Sequence, residues 1–322
     1  MGTPLHRVPG KAGPGPPLVV GAALRAARGP PPKGFGPQDG QPPSYLLRSK
    51  ARFVFSFDAS YKTPTPSLLS QLLGGLFAAV FPTNCLLCER ELTEPWGASI
   101  CPACWESLQP SIGPSCNRCG LPFASPLAAD SVDPLCGQCR QGEPEFDMAR
   151  SYGLYTGNLR KAILQLKFHR REHLAIRLGA LLAQPFEALS ASDLAIVTPV
   201  PLHPSRRRQR GFNQAELLAR GLVRRLRGGK RRLQLVAGSL RRIRPTLPQV
   251  GLSVSARREN VRGVFSVARP EQVRNRPVVL VDDVMTTGAT LSACSGALKR
   301  AGASQVLALS LARATPQFPD SA

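Results

Sequence analysis

The sequence predicts an α/β domain built on a mostly parallel sheet, preceded by a small cysteine-rich module and a disordered N-terminal tail. Three observations carry that expectation. Apolar strands alternate with helical stretches from about residue 147 onward; eight of the nine cysteines fall into C-x-x-C pairs just before that point; and the first 66 residues take a large share of the 32 Pro and 29 Gly.

The 322 residues suffice for one domain of ordinary size, a smaller one, and tails. Residues 1–67 contain Gly29-Pro30-Pro31-Pro32 and Gln41-Pro42-Pro43, turn-forming and extended runs that bury little, so this tail is expected to be disordered. Residues 68–81 are expected to form an amphipathic helix packed on the cysteine module. That stretch is too short to span a bilayer and no A-x-A-like site follows it, so neither a membrane span nor a signal peptide is expected, and a cytoplasmic location is. The domain reading is a tail at 1–67, a helix and cysteine module at 68–142, the α/β domain at 147–314, and a second tail at 315–322.

The formal net charge of +22 is uneven. Residues 1–66 hold 9 basic and 2 acidic side chains, residues 85–150 hold 4 and 9, and residues 199–262 hold 17 and 2. A block of the last kind attracts phosphate, whether on a nucleotide, a sugar phosphate or a nucleic acid backbone.

The cysteine pairs are Cys85/Cys88, Cys101/Cys104, Cys116/Cys119 and Cys136/Cys139. Two such knuckles 12 to 20 residues apart place four thiolates around one zinc, so eight cysteines predict two sites. Sequential pairing is simplest and interleaved pairing is the alternative. Disulfides are the competing reading, disfavoured in a chain without a secretion signal. A site filled by four protein ligands leaves no position for substrate, so the zinc is expected to be structural. The acidic charge of this segment makes it a poor grip for a phosphate backbone and a better protein contact. Cys294, alone in a helix, reads as a small buried apolar residue.

In the α/β part, residues 159–168 read as a helix whose Leu159, Ile163 and Leu166 share a face, and residues 173–189 as another. Residues 193–200 read as a buried strand. Residues 214–227 read as a helix with Leu218, Leu222 and Leu226 on one stripe, 278–281 as a short apolar strand, 290–301 as a helix ended by Gly302, and 305–311 as a last strand.

The run Val278-Val279-Leu280-Val281-Asp282-Asp283-Val284-Met285-Thr286-Thr287-Gly288-Ala289-Thr290 is the most informative stretch. An apolar strand delivers two carboxylates to its carboxyl end, where parallel sheets bind ligands. The Thr/Gly turn that follows enters a helix, whose N-terminal amides and partial positive charge suit a phosphate. Gly288 permits close approach. Asp282 and Asp283 can accept hydrogen bonds from a pair of vicinal hydroxyls, so the whole describes a ribose 5-phosphate site. The bland reading is an N-capped helix after an ordinary strand.

This run resembles the signature with which type I phosphoribosyltransferases bind phosphoribosyl pyrophosphate: four apolar residues, two acids, then T-T-G-x-T. Further segments resemble the ComF family: Leu166-Lys167-Phe168-His169, Pro199-Val200-Pro201-Leu202-His203-Pro204, Arg210-Gly211-Phe212-Asn213-Gln214, Arg244-Pro245-Thr246 with Gln249, and Arg257, Arg258, Asn260, Val261 and Phe265. The resemblance implies a type I phosphoribosyltransferase fold behind a double zinc ribbon. It implies magnesium with phosphoribosyl pyrophosphate as substrate, and transfer of the sugar to an acceptor nitrogen. Asp282 and Asp283 would be catalytic, and Thr286, Thr287, Gly288, Ala289 and Thr290 would take the phosphate. Val200, Pro201, Leu202 and His203 would form the pyrophosphate loop, with charge from Arg210 and the neighbouring Arg206, Arg207 and Arg208, and Lys167 would touch substrate. On charge alone the arginine cluster equally fits a solvated face or a nucleic acid patch. His203 equally fits a plain loop position, and Lys167 a solvated helix. Arg244 and Arg257 are expected on or beside a mobile flap at 242–256. The family name implies a link to DNA uptake in natural competence. The alternative to an enzyme is an interaction protein of the uptake machinery, with nucleotide, single-stranded DNA or an uptake protein as partner.

Overall fold

A computed structural model gives the fold and describes residues 84–92, 99–125, 133–142, 144–168, 171–189, 194–246 and 253–315. The tail expected at 1–67, the helix expected at 68–81 and residues 316–322 of the second tail lie outside the described residues, as do His169 and residues 247–252 of the flap, Gln249 among them. The cysteine segment contributes two short helices, α1 (Pro102–Glu106) and α2 (Gly137–Gln141). The chain then runs β1 (Met148–Leu154), α3 (Gly157–Phe168), α4 (Glu172–Leu181), α5 (Ala183–Glu187), β2 (Leu194–Pro199), α6 (Pro204–Arg210), α7 (Gln214–Leu226), β3 (Arg232–Leu235) and β4 (Leu240–Arg242). It closes with α8 (Val254–Asn260), β5 (Phe265–Val267), β6 (Pro277–Met285), α9 (Ala289–Arg300) and β7 (Gln305–Arg313).

Five strands form one parallel sheet in the order β1-β7-β6-β2-β3, and β4 and β5 pair antiparallel beside it. The sheet's centre is dry because its central strands carry apolar runs: Val278 to Val281 of β6 are fully buried, as are Val306, Ala308, Leu309 and Leu311 of β7. Period-two alternation splits these residues between faces. Val279 and Val281 share a core with Leu218 and Leu222 of α7 and with Leu159, Ile163 and Leu166 of α3. Val278 and Leu280 share another with Leu291, Cys294 and Leu298 of α9.

Two elements differ from the sequence expectation, each for a local reason. The helix expected over 173–189 breaks at Leu182, because Pro185 has no N–H to offer the carbonyl of Leu181. Strand β6 runs on to Met285, since its ladder with β7 is made by backbone and pairs Asp282 with Ser310, Val284 with Ala312 and Met285 with Arg313. The arginine cluster, to which the sequence assigned no element, forms α6, which starts at Pro204, is capped by His203, and bears no apolar stripe by which periodicity could find it.

The cysteine segment lies along the free side of β1, where an open edge would otherwise expose its ladder groups. The Ser111 amide donates to the carbonyl of Tyr152 (2.7 Å) and the Ala149 amide to that of Arg118 (2.7 Å). Cys85, Leu87, Ile100 and Cys104 join the core of α3, while Cys116, Cys119, Cys136 and Cys139 join that of α9. Side chains tie the same seam: Asn158 Nδ2 donates to Ser107 Oγ (2.8 Å), and Arg177 lies over the Trp105 ring at 4.5 Å. Among the described residues no helix is long and apolar enough to cross a membrane.

Helices α4 and α7 cross at two glycines. A Cβ on Gly179 would sit 2.3 Å from the carbonyl oxygen of Leu218, and one on Gly221 would sit 2.2 Å from that of Ile176. Backbone cannot yield as a side-chain tip can, so Gly221→Ala should destabilise the domain by about 1–3 kcal/mol. Chemical denaturation measures this, and an unchanged midpoint would contradict so close a crossing.

Candidate functional site

The chain leaves β2 for β3 through α6 and α7, and leaves β6 for β7 through α9. Because β3 and β7 lie on opposite sides of the β2–β6 pair, crossovers of one hand put α7 and α9 on opposite faces. A crevice therefore opens beyond the carboxyl ends of β2 and β6, the switch point at which open α/β sheets bind ligands. The Val200 amide donates to the carbonyl of Val281 (2.9 Å), holding the two exits side by side.

Asp282 and Asp283 lie near the carboxyl end of β6 at this crevice, both partly buried. The Asp283 amide donates to Asp282 Oδ1 (2.8 Å), and Lys167 Nζ, at the end of α3, meets Asp283 Oδ2 at 3.2 Å. The turn that follows reaches α9 through Gly288, whose φ of 79° is left-handed and whose Cβ, if present, would press 2.7 Å from Met285 Cε. Ala289 donates its amide to Thr287 Oγ1 (3.4 Å). Thr286, Thr287 and Thr290 are half-buried about this turn, and no acidic residue stands in the first turn of α9. The helix end thus offers its positive pole to the crevice.

Across the crevice, Val200, Pro201 and Leu202 lead from β2 to His203. Asn213 anchors this loop: its Nδ2 donates to the carbonyl of Val200 (3.0 Å) while its Oδ1 caps α7 through the Ala215 amide (3.2 Å). His203 Nδ1 meets Ser205 Oγ at 2.7 Å and accepts from the Ser205 amide, so the ring caps α6. Arg206 and Arg210, spaced i, i+4, share one side of α6 and are half-buried, whereas Arg207 and Arg208 are exposed. Arg207 instead faces Glu216 at 3.8 Å. Arg210 Nη1 donates to Gln214 Oε1 (3.2 Å), and its charge is felt together with those of Asp283 and Arg206.

Sequence reasoning missed Arg242 as a site residue. It ends β4, lies over the Phe265 ring at 5.7 Å and donates to Thr246 Oγ1. It also stands close enough to Asp282 for each charge to favour the other's ionisation. Only the density of arginine in 199–262 pointed toward it.

Burial and the adjacent Asp283 charge push the Asp282 carboxyl up to about 7, against the pull of the Asp283 amide, Lys167 and Arg242. For Lys167 burial alone would act downward, yet Asp283 and its neighbours outweigh it and raise the ammonium's pKa, keeping it charged. The crevice therefore holds one carboxylate paired at contact distance, one strained carboxyl, and cations on three sides.

The eight paired cysteines form two clusters, Cys85/Cys88/Cys101/Cys104 and Cys116/Cys119/Cys136/Cys139, with all sulfurs of a cluster within 4.8 Å of one another. Pairing is thus sequential, and all eight thiols are free of disulfide. Cys88 and Cys101 sulfurs lie 3.7 Å apart and those of Cys119 and Cys136 3.6 Å, close to the ~3.8 Å that a tetrahedron of sulfurs about 2.3 Å from zinc requires. The donor set fits zinc. Cys294 is fully buried in α9 beneath the crevice, as expected of a small apolar residue.

The raised Asp282 carboxyl has a consequence for stability. Between 3.8 and about 7 the native state holds a proton that the unfolded chain releases, so stability is lost as pH rises through that window. Asp282→Asn removes this penalty. Its gain in unfolding temperature should be larger near pH 8 than near pH 5, by about 2–4 °C for each kcal/mol recovered; an equal gain at both would contradict the assignment.

Comparison with known proteins bears on both halves of the chain. Residues 76–140 match the model described as a double zinc ribbon domain, and residues 213–321 the model described as a phosphoribosyl transferase domain. The DNA utilization protein YhgH of Salmonella typhimurium is 33% identical over 237 residues, which are 72% of this chain and 97% of that protein. Competence protein F of Haemophilus influenzae is 32% identical over 67% of this chain and 90% of its own. Competence protein ComFC of Bacillus subtilis is 25% identical over 64% and 85%. With two four-cysteine ribbon clusters ahead of a parallel α/β domain, and with relatives of this identity aligned over nearly their whole length, the chain belongs to the ComF family.

Proposed function

We propose that the chain binds phosphoribosyl pyrophosphate with magnesium in the crevice between β2 and β6 and transfers the phosphoribosyl group to an acceptor nitrogen. One observation carries the reading: two adjacent carboxylates lie near the carboxyl end of a buried strand that leads through a glycine-hinged turn into α9, with Lys167, Arg206, Arg210 and Arg242 gathered about them. The ribose hydroxyls donate to Asp282 and Asp283, and the 5-phosphate accepts hydrogen bonds from residues 286–290. The guanidinium groups meet the pyrophosphate oxygens, for which their planar forks are suited. The bond from the anomeric carbon to pyrophosphate breaks with its electron pair leaving on oxygen, and the sugar passes through a cation resembling that of glycoside hydrolysis. The acceptor's lone pair then forms the new carbon–nitrogen bond as its proton departs. Magnesium bound with the substrate would lie near Asp282 and Asp283 and would neutralise part of the leaving group's charge.

On this reading residues 147–314 are the transferase domain, and 68–142 are a ribbon module in which each cysteine cluster holds one structural zinc. The protein takes part in handling DNA, as the names of its relatives, DNA utilization protein and competence protein, suggest, and on this reading it works in the cytoplasm. A second reading is an interaction protein that binds single-stranded DNA or a partner of the uptake machinery without turnover. It is favoured by the 17 basic and 2 acidic residues of 199–262.

Titration calorimetry with phosphoribosyl pyrophosphate should show binding that needs magnesium and is weakened at least about tenfold in the Asp282→Asn, Asp283→Asn variant, equivalent to about 1.4 kcal/mol. Equal binding by wild type and variant would remove the site. For the second reading, single-stranded DNA affinity should fall steeply between about 50 and 200 mM salt; a flat response excludes a phosphate-backbone contact.

A further inference from the structure

Arg313 is the last residue of β7 and is buried to within 3% of complete exclusion from solvent. Its Nη2 donates toward Cys119 Sγ at 3.8 Å. Neither its Nε nor its Nη1 meets an acceptor, and no carboxylate forms an ion pair with it among the described residues. A guanidinium does not shed its proton in a protein, so this buried charge has to be met by a negative one. Cys119 belongs to the second cluster, whose four sulfurs all lie near enough for their charge to act on this guanidinium.

Four thiolates around one divalent ion carry two formal negative charges. We propose that Arg313 is the counter-charge of the second cysteine cluster and makes it the more firmly held of the two metal sites. The inference rests on the reading that both clusters hold zinc. Arg150 assists from the other side, with Nη1 bound to the carbonyls of Asn117 (3.0 Å) and Ala149 (2.8 Å), so it braces the knuckle between Cys116 and Cys119. Arg313 differs in having donors left over for the sulfurs. The first cluster is built otherwise: Cys88 is exposed, Cys101 is half-buried, and Cys85 takes its hydrogen bonds from backbone amides, that of Cys101 at 3.3 Å among them. Outer-shell partners of this kind tune metal affinity by about 10–100-fold. Position gives the charge a second consequence. Arg313 is paired in register with Met285, whose side chain packs under Gly288, so a loaded second cluster steadies the strand end that shapes the crevice.

The test uses full-length protein purified with its metal, challenged with excess chromophoric chelator while cysteines are alkylated and mapped by mass spectrometry. Wild type should release zinc in two phases, with Cys85, Cys88, Cys101 and Cys104 labelled in the first and Cys116, Cys119, Cys136 and Cys139 in the second. Arg313→Met, which keeps length and apolar bulk, should speed the second phase about 10–100-fold and leave the first unchanged, and Arg313→Lys should restore most of the delay. An unchanged second phase in a folded Arg313→Met protein overturns the assignment, and so does a wild type that loses the second cluster's metal first or loses both together. Even if Arg313→Met does not fold, a wild type without the expected order overturns the inference. Protein that carries no zinc at all overturns the zinc reading and this inference with it, whereas zinc held without regard to residue 313 overturns this inference alone.

Discussion

Placing two carboxylates side by side at the end of a strand that is dry on both faces is the constraint to which the rest of the domain answers. Asp282 and Asp283 follow four fully buried aliphatic residues, and neither sits in open solvent. Like charges so close in a poorly hydrated setting repel, and the fold meets this by bringing cations from elements far apart in the chain. Lys167 arrives from α3 to touch Asp283, Arg242 from the β4–β5 pair toward Asp282, and Arg206 and Arg210 from α6. Among the described residues Asp282 still lacks a cation at contact distance, and its carboxyl is correspondingly hard to ionise. An arrangement held at such tension in the free protein is suited to a ligand that brings both hydroxyl donors and a cation of its own.

The cysteine segment and the sheet depend on each other. The segment has too few aliphatic residues for a core, so its clusters borrow the two cores on either side of β1. In return its backbone covers the edge of β1, and its first half packs on α3, the helix that carries Lys167 to Asp283. The metal-binding half is therefore part of the wall behind the crevice, because α3 reaches from one to the other.

What was legible in the sequence was what is local. The Val278–Thr290 run shows its strand, acids and turn within thirteen consecutive positions, and C-x-x-C spacing announces metal without knowledge of the fold. Sequential pairing of the clusters needed the structure, since spacing allows both arrangements. The partners of the two acids were not legible as partners: contact between Lys167 and Asp283 is made by sheet order, which no periodicity reports. Strands β1, β3 and β4 escaped notice because they carry polar or arginine residues at an edge or in a short pair, where one side of the alternation faces water. Helix α6 escaped for the opposite reason, having no buried residue to create a stripe. Arg313 looked like one more basic residue until β7 placed it against the second cluster.

A crystal of the full chain soaked with phosphoribosyl pyrophosphate and magnesium gives the most direct measurement. The account predicts the 5-phosphate within hydrogen-bonding distance of the turn at 286–290, the ribose hydroxyls on Asp282 and Asp283, and the pyrophosphate among Arg206, Arg210 and Arg242. Clear density for the ligand elsewhere, with this crevice vacant and the Lys167–Asp283 pair undisturbed, would contradict it.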